Sequence, residues 1–416
     1  MDHLLQTLLN LPDIRVLGSD YTAQGALIIR VESTVDSARC RRCGRQISHF
    51  HGHDQPVRLR HLPIFERQVY LEIRPRRYRC PHCQGHPTTT QRCTWYEPNS
   101  PHTQAFEHDM LRALINSTVV DVSRKQALTP AAVEGIVERH LAHEVDWSRL
   151  TALGVIGIDE IALRKGHRDF ITIVTSRHAA GSLTLLAVLP DRNKETVAAF
   201  LTAIPERLKA TITQVCTDMY SGFVNAAHEE LPEAVVVVDR FHVAKAYRDC
   251  ADAVRKKEVK RLKQTLSPAD YDAQVKGTLW LFRKPWTALT AAERQRLEPL
   301  FERAPNLRTV HQMREVLTAI FEQAQSKAQA TEWIQAWRAF VIMQAIPGFE
   351  KFFTTLDNHL DEITNYFLDR QTSGFVEGFN NKIKVLKRRC YGLFNLTHLF
   401  QRLQLDLNGY QLFGHP

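Results

Sequence analysis

The residues best placed to do chemistry are acids that interrupt strand-like runs. In the stretch Val215-Cys216-Thr217-Asp218-Met219-Tyr220-Ser221-Gly222-Phe223, residues 210–214 mix small and β-branched side chains, and residues 221–230 take up helical spacing. Asp218 therefore falls where a buried strand runs out and a helix begins, the position at which open α/β sheets bind ligands. A carboxylate there carries a desolvation cost unless a metal, a donor or a proton compensates it. A second β-branched run, residues 155–163, is broken by the pair Asp159-Glu160. Side chains alternate along a strand, so only one of that pair can share a face with Asp218. A third stretch, residues 373–382, opens a basic helix. Val376, Phe379, Ile383, Leu386 and Cys390 recur at helical spacing as its core face, and Glu377, Asn381, Lys384 and Arg388 form a neighbouring polar stripe. One acid at the head of a row of cations suits a groove that holds metal and phosphate together.

The elements that must position these acids are legible on either side of them. Residues 153–163, 170–176 and 182–189 read as three strands, and residues 193–210 as one amphipathic crossover helix leading into the Asp218 strand. Residues 234–238 form a fifth strand ending in Asp239-Arg240-Phe241-His242, followed by a long helix. Asp239 is a fourth candidate ligand. It and His242 are expected to support the site, His242 by orienting a water or a phosphate, with a buried structural histidine as the competing account. From about residue 245 to 369 strand character disappears. Arg255, Lys256, Lys257, Lys260, Arg261 and Lys263 make a basic helical stretch there. Trp280, Trp286, Trp333 and Trp337 are expected in the core, with Trp280 or Trp286 stacked on an unpaired base as the alternative.

The front of the chain offers a different chemistry. Cys40-x-x-Cys43 and Cys80-x-x-Cys83 are separated by 36 residues. Four thiolates in two such pairs suit tetrahedral zinc. The separation exceeds the usual spacing of roughly 15–20 residues, so the intervening chain must carry its own structure, and residues 56–62 and 70–74 alternate as strands that reach between the pairs. Unrelated thiols are the plain alternative, and His82, His86 and Cys93 are candidate substitute ligands. Arg74, Arg76, Arg77 and Arg79 crowd the approach to the second pair. A run of arginines is usually a solvated face; beside a zinc site in a basic protein, phosphate contact is the expectation. Residues 106–116 and 123–128 read as helices, and Thr129-Pro130 as an N-cap and first helical residue opening a third. This order permits a helix-turn-helix; Glu134 and Glu138 on the last helix make a structural spacer the rival reading.

Bulk properties agree with this division. A chain of 416 residues with 44% hydrophobic and 24% charged residues is globular and long enough for two or three domains. A formal charge of +9 favours a polyanionic partner, nucleic acid rather than membrane, since no apolar run approaches the ~20 residues of a spanning helix. No basic, apolar leader opens the chain, so a cytoplasmic, nucleoid-associated location with reduced cysteines is expected.

The stretches GIDE, CTDMYSGF, VVDRFHVAKA and SGFVEGFNNKIKVLKRRCYG together resemble the DDE transposases of bacterial insertion sequences, the ISL3 family, and the likeness runs from the cysteine-rich front to the last helix. The resemblance implies an RNase H-like catalytic core with Asp159, Asp218 and Glu377 as its acidic triad, a zinc-binding DNA-contact module at the front and a helix-turn-helix behind it. The fold expected is multidomain α/β. It comprises a zinc-ribbon-like β module (1–100), a helix-turn-helix-like helical domain (101–150), the first part of the RNase H-like core (151–244), an all-α insertion (245–370), and C-terminal helices carrying Glu377 (371–416). Such a core uses two divalent ions, Mg²⁺ or Mn²⁺, ~3.5–4 Å apart, with Asp159 bridging, Asp218 on one ion and Glu377 on the other, plus one structural zinc. The partners implied are the element's terminal inverted repeats and target DNA, gripped by Arg74, Arg76, Arg77, Arg79, Lys256, Lys257, Lys260, Asn381, Lys384 and Arg388, with at least a homodimer on DNA. Two rivals remain: a nuclease or resolvase of the same fold that cuts without joining, and a zinc-dependent DNA-binding regulator with inert acids. Taken singly, Asp218 reads equally as a helix cap, Asp159 as half of a salt bridge and Glu377 as a first-turn acid.

Overall fold

Alternating apolar residues along Leu27–Ser33 and Arg67–Ile73 set up the first core. The computed structural model describes residues 2–163, 170–178, 181–370, 374–390 and 392–414, and they fall into two units: residues 1–142 with 401–416, and residues 143–400.

In the first unit, α1 (Asp2–Leu9) precedes β1 (Ile14–Tyr21) and β2 (Leu27–Ser33), an antiparallel pair. The short strands β3 (Ala38–Arg39) and β4 (Gln46–Ile47) flank the first cysteine pair, followed by β5 (Phe50–His53), β6 (Val57–Ile64), β7 (Arg67–Ile73), β8 (Arg76–Arg79) and β9 (Thr88–Thr90). The strands expected to span between the cysteine pairs do something else. β6 and β7 swing away to complete a four-stranded sheet ordered β1-β2-β7-β6, and β5 and β8 make the direct connection in the sheet β5-β8-β9. The reason is apolar burial: Leu59, Val69, Leu71 and Ile73 need a partner surface, which Ile29, Val31 and α1 supply. The polar sequence of β5 and β8 buries only Tyr78 of its side chains and suits a small sheet beside the thiols.

Three helices follow: α2 (Gln104–Leu114), α3 (Val119–Lys125) and α4 (Pro130–His140). Thr103, Thr118 and Thr129 each cap one, their hydroxyls accepting from Phe106, Asp121 and Ala132 N–H groups. The middle helix starts at Val119, four residues ahead of the expected 123, because Thr118 supplies a cap that tolerates two β-branched residues behind it. Leu405 and Phe413, from the C-terminal helix (Leu396–Phe413), join the core of Phe106, Met110, Leu114, Val133 and Ile136. At its edge Glu107, 1% exposed, accepts from Ser100 Oγ at 2.8 Å and from His140 Nε2 at 2.6 Å and pairs with Arg139.

The second unit is built on β10 (Gly154–Ala162), β11 (Phe170–Arg177), β12 (Leu183–Leu189), β13 (Ile212–Thr217) and β14 (Val235–Val238), in the order β12-β11-β10-β13-β14. The first three form an antiparallel meander, and β10, β13 and β14 run parallel. The crossover expected as one helix is two, α5 (Lys194–Thr202) and α6 (Glu206–Lys209), because Pro205 supplies no backbone N–H and disfavours helix at the residue before it. After α7 (Ser221–Glu230) and β14 comes the long α8 (Arg240–Thr265). Then follow α9 (Pro268–Gln274), α10 (Leu279–Arg283), α11 (Ala291–Arg303), α12 (Pro305–Gln323), α13 (Lys327–Met343), α14 (Glu350–Asn358), α15 (Leu360–Thr364), α16 (Tyr366–Asp369) and α17 (Gly374–Arg389). Alternation splits the sheet cleanly. Ile156, Ile158, Val215 and Val236 pack with Phe223 and Leu201, while Val155, Cys216 and Val237 pack with Val243, Tyr247 and the helices beyond. Of the tryptophans, Trp337 is buried and donates to Met313 O at 2.9 Å. Trp280 departs from the core expectation at 68% exposed, with Arg283 over its ring.

Candidate active site

Strand register brings the aspartates together. Gly157 pairs with Cys216 across the parallel β10–β13 contact, and Thr217 with Val238 across β13–β14. Two residues beyond Gly157 and Cys216 lie Asp159 and Asp218; one beyond Thr217 and Val238 lie Asp218 and Asp239. Parallel strands are ~4.8 Å apart, so the three acids stand in a row at one level, on the face shared with Cys216 and Val237. Gly154 helps set that level. Its φ of +68° accompanies a register shift at the start of β10, and a Cβ there would meet Arg177 O at 2.7 Å.

Backbone N–H groups donate to each of the three carboxylates. Asp159 Oδ1 accepts from Glu160 N at 2.7 Å, and Oδ2 from Asn380 Nδ2. Burial pushes the Asp159 carboxyl up to about 6; the neighbouring Asp218 pushes it further and the His242 ring opposes. Burial likewise raises Asp218, offset by the Tyr220 N–H on its Oδ1 (2.9 Å) and by His242. Asp239 caps α8, accepting from Phe241 N at 2.9 Å. Arg192 binds Glu160 at 2.7 Å and also lies over the Phe170 and Tyr220 rings, while the Glu160 charge still acts to raise Asp159 and Asp218. Register and alternation put Asp159, rather than Glu160, on the face of the sheet that carries Cys216.

The helix α17 runs beside β10. The Arg177 guanidinium, opposite Val155 in the sheet, lies 4.8 Å over the Phe375 ring; Asn380 meets Asp159, and Lys387 Nζ donates to Ala162 O. From Asn380 to Lys387 the helix climbs ~10 Å, and from Asp159 to Ala162 the strand advances about as far, so helix and strand travel in the same direction. Phe379, Ile383 and Leu386 are buried as expected, and Asn381, Lys384 and Arg388 are exposed. Glu377 belongs to this helix, but its side chain, like that of Val376, lies outside the described residues.

Two groups at this site escaped the sequence reading. Asn380, 5% exposed, sits on the border between the apolar face and the polar stripe, and only an amide at that border hinted at it. Lys245, one turn beyond His242, stabilises the Asp218 charge. Asn380 Oδ1 and Thr217 Oγ1 are buried with no hydrogen-bond partner among the described residues. A buried amide oxygen without a partner among the described residues, near two carboxyls that burial raises, is an oxygen-rich donor set, which fits a hard divalent cation.

The cysteines form a second centre. Sγ atoms of Cys40, Cys43, Cys80 and Cys83 all lie within 4.8 Å of one another, with Cys40–Cys83 at 3.9 Å and Cys43–Cys80 at 3.8 Å. Four sulfurs ~2.3 Å from one tetrahedral centre would be roughly 3.8 Å apart, so the set fits structural zinc. The N–H groups of Cys43 and Arg42 draw the Cys40 thiol down to about 6. His86 turns its Nδ1 to the Cys80 carbonyl instead. Nearby, Arg76 is engaged by Asp36 and Glu32, while Arg74 and Arg79 are exposed. On α8, Lys256, Lys257 and Lys260 are exposed.

Known proteins match both centres. A family model described as transposase, of the ISL3 DDE type, matches residues 156–403. One described as the zinc-finger of transposase IS204/IS1001/IS1096/IS1165 matches residues 36–83. The transposase for insertion sequence element IS1001 of Bordetella parapertussis is 28% identical over 92% of both chains. That for IS1557 of Mycobacterium tuberculosis is 26% identical over 90% of this chain and 86% of its own. The Drosophila P element transposase strand transfer complex aligns with 73% of this chain and 91% of that chain at TM-score 0.37 and 11% identity, a similarity too slight to argue from. No helix among the described residues is long and apolar enough to cross a membrane.

Proposed function

The chain belongs to the ISL3 family of DDE transposases, and we propose that it binds the inverted-repeat ends of an insertion sequence and catalyses divalent-metal-dependent strand cleavage and strand transfer. The core is RNase H-like in this reading. The strand order β12-β11-β10-β13-β14, with one acid on β10 and another just past β13, supports it. The observation that carries the proposal is the level row of Asp159 and Asp218 with α17 fastened to Asp159 through Asn380. Glu377 lies three residues before Asn380, hence on a neighbouring part of the helix surface, which supports it as the third acid. Mg²⁺ or Mn²⁺, two ions bound by Asp159, Asp218 and Glu377, would neutralise phosphate charge and activate the attacking oxygen. Asp159 is kept in place by the Glu160 N–H and the Asn380 amide, Asp218 by the Tyr220 N–H. Lys245 brings positive charge toward the scissile phosphate, and the His242 ring offers it a hydrogen bond. Hydrolysis first frees a 3′-hydroxyl at the element end; that hydroxyl then attacks target DNA, displacing a strand. Exposed Lys256, Lys257, Lys260, Asn381, Lys384 and Arg388 line the DNA path, with Arg74, Arg77 and Arg79 contacting it from the zinc module. α3 and α4 act as a helix-turn-helix, which the short link 126–129 supports. Two ends must meet, so the working form is at least a dimer on DNA.

The test is incubation of labelled element-end DNA with Mg²⁺ or Mn²⁺, wild type against Asp218→Asn. Outer-shell partners of metals already cost about 10–100-fold, so losing a ligand should reduce cut and joined products by more than ~100-fold. Survival of both products in the variant would overturn the mechanism. Cut products without joined ones in the wild type would favour a nuclease.

A further inference from the structure

The zinc-bearing module contains a groove of about 830 Å³ lined by Arg41, Arg58, Arg77 and Arg92. These arginines come from four separate places in the chain. Its floor is β9, and each threonine of that strand fixes a different wall. Thr88 Oγ1 accepts from Arg77 Nη2 at 2.7 Å, Thr89 Oγ1 accepts from Arg41 N at 3.2 Å, and Thr90 donates to Asp54 Oδ2 at 2.5 Å. The one acid in the lining is therefore held by a neutral hydroxyl, and its other oxygen accepts from Gln55 N. Arg58 is ion-paired with Glu72. Arg41, Arg77 and Arg92 make no ion pair among the described residues, and Arg41 and Arg92 are exposed. Arg41 and Arg92 thus face the open trough with no partner acid among the described residues, and Arg77, whose charge also lowers the Asp54 carboxyl, completes its wall. Composition sharpens the point: residues 1–124 carry sixteen arginines and no lysine, and twelve of those arginines lie in 36–103 against five acids. Arginine's planar fork pairs bidentately with phosphate oxygens, which an ammonium cannot do. A trough of this size with cations spread along it is larger than one phosphate ion needs and suits a run of them.

Resting on the transposase reading above, we propose that this groove, through Arg41, Arg77 and Arg92, grips the sugar–phosphate backbone of the DNA duplex without reading its sequence. Arg41 lies inside the first cysteine knuckle, so zinc binding fixes one wall of the groove. The contact joins Arg77, from the arginine run that precedes Cys80, to Arg41 and Arg92, which only the folded module gathers beside it.

The test uses the full, zinc-loaded chain and fluorescence anisotropy across a salt series, on an element-end duplex and on an unrelated duplex. Each phosphate contact contributes about 0.9 to the slope of log K against log salt. The double variant Arg41→Ala/Arg92→Ala should therefore flatten the slope by about 1.8, equally on both duplexes. Arg92→Glu, an exposed single change, should weaken both by a common factor. Arg30→Ala, whose guanidinium pairs with Asp20, should keep the wild-type slope. Zinc content reports that each variant is folded. A wild type that binds with a slope the double variant retains overturns the groove and leaves the transposase reading intact. A wild type that binds neither duplex overturns both.

Discussion

Four cysteines and three aspartates are gathered in this molecule by different means. The cysteines come from two knuckles within 44 residues, and beside them the packed apolar material is little more than Ile47 and Tyr78. The aspartates come from three neighbouring strands, one within β10 and two just past β13 and β14, spread over 81 residues, on a sheet with a large apolar core on each face. Where the core is small, the metal must act as the core; where the sheet stands on its own, ligands can be changed without loss of the fold.

That contrast can be broken in three ways. The largest effect should follow removal of zinc by a chelator, or Cys80→Ser. Structural zinc contributes about 10–16 kcal/mol in small zinc domains, so amide-exchange protection across β3–β5, β8 and β9 should vanish while β10, β13 and β14 keep theirs. Unchanged protection of the knuckles without metal would show that the small sheet needs no zinc.

Next is Asn380→Ala. Loss of a group that orients a metal-binding carboxylate costs about 10–100-fold in affinity. Mn²⁺ titration should show that loss, with thermal stability of the second unit changed by no more than ~1–3 kcal/mol. Equal Mn²⁺ affinity would reduce Asn380 to a packing residue.

The smallest effect concerns pH. Asp159 has its folded pKa raised to about 6 from the usual carboxylate value. A raised carboxylate contributes stability below its unfolded pKa that is lost as pH rises through the folded one, so the metal-free second unit should weaken between pH ~4 and ~6. Metal binding, which needs the ionised form, should run the other way, gaining up to tenfold per pH unit until about 6 and then levelling. Asp159→Asn should weaken both trends and leave only the part that the raised Asp218 contributes. A flat Mn²⁺ affinity from pH 5 to 7 in the wild type would count against Asp159 as a ligand.

Much of the fold was legible because its signals are local. The β-branched runs gave all five strands of the second sheet to within two or three residues, and Thr129-Pro130 marked a helix start that the hydroxyl of Thr129 does cap. The two Cys-x-x-Cys pairs pointed to a four-sulfur site although their separation exceeds the usual spacing, and the four Sγ atoms do cluster. Pro205 also stood in plain view, yet helical periodicity on both sides of it masked the break.

The sequence by itself determined which acids interrupt strand-like runs, which thiols come in pairs, and that a basic helix follows the all-helical stretch, since each depends on periods of two or 3.6 residues and on short turns. Only the tertiary structure decided that Asp159 rather than Glu160 stands beside Asp218, that Asn380 fastens α17 to it, and that Arg76 is engaged by acids while Arg41 and Arg92 are not. Those outcomes turn on strand register and on which faces meet across distant parts of the chain, and no local pattern encodes either.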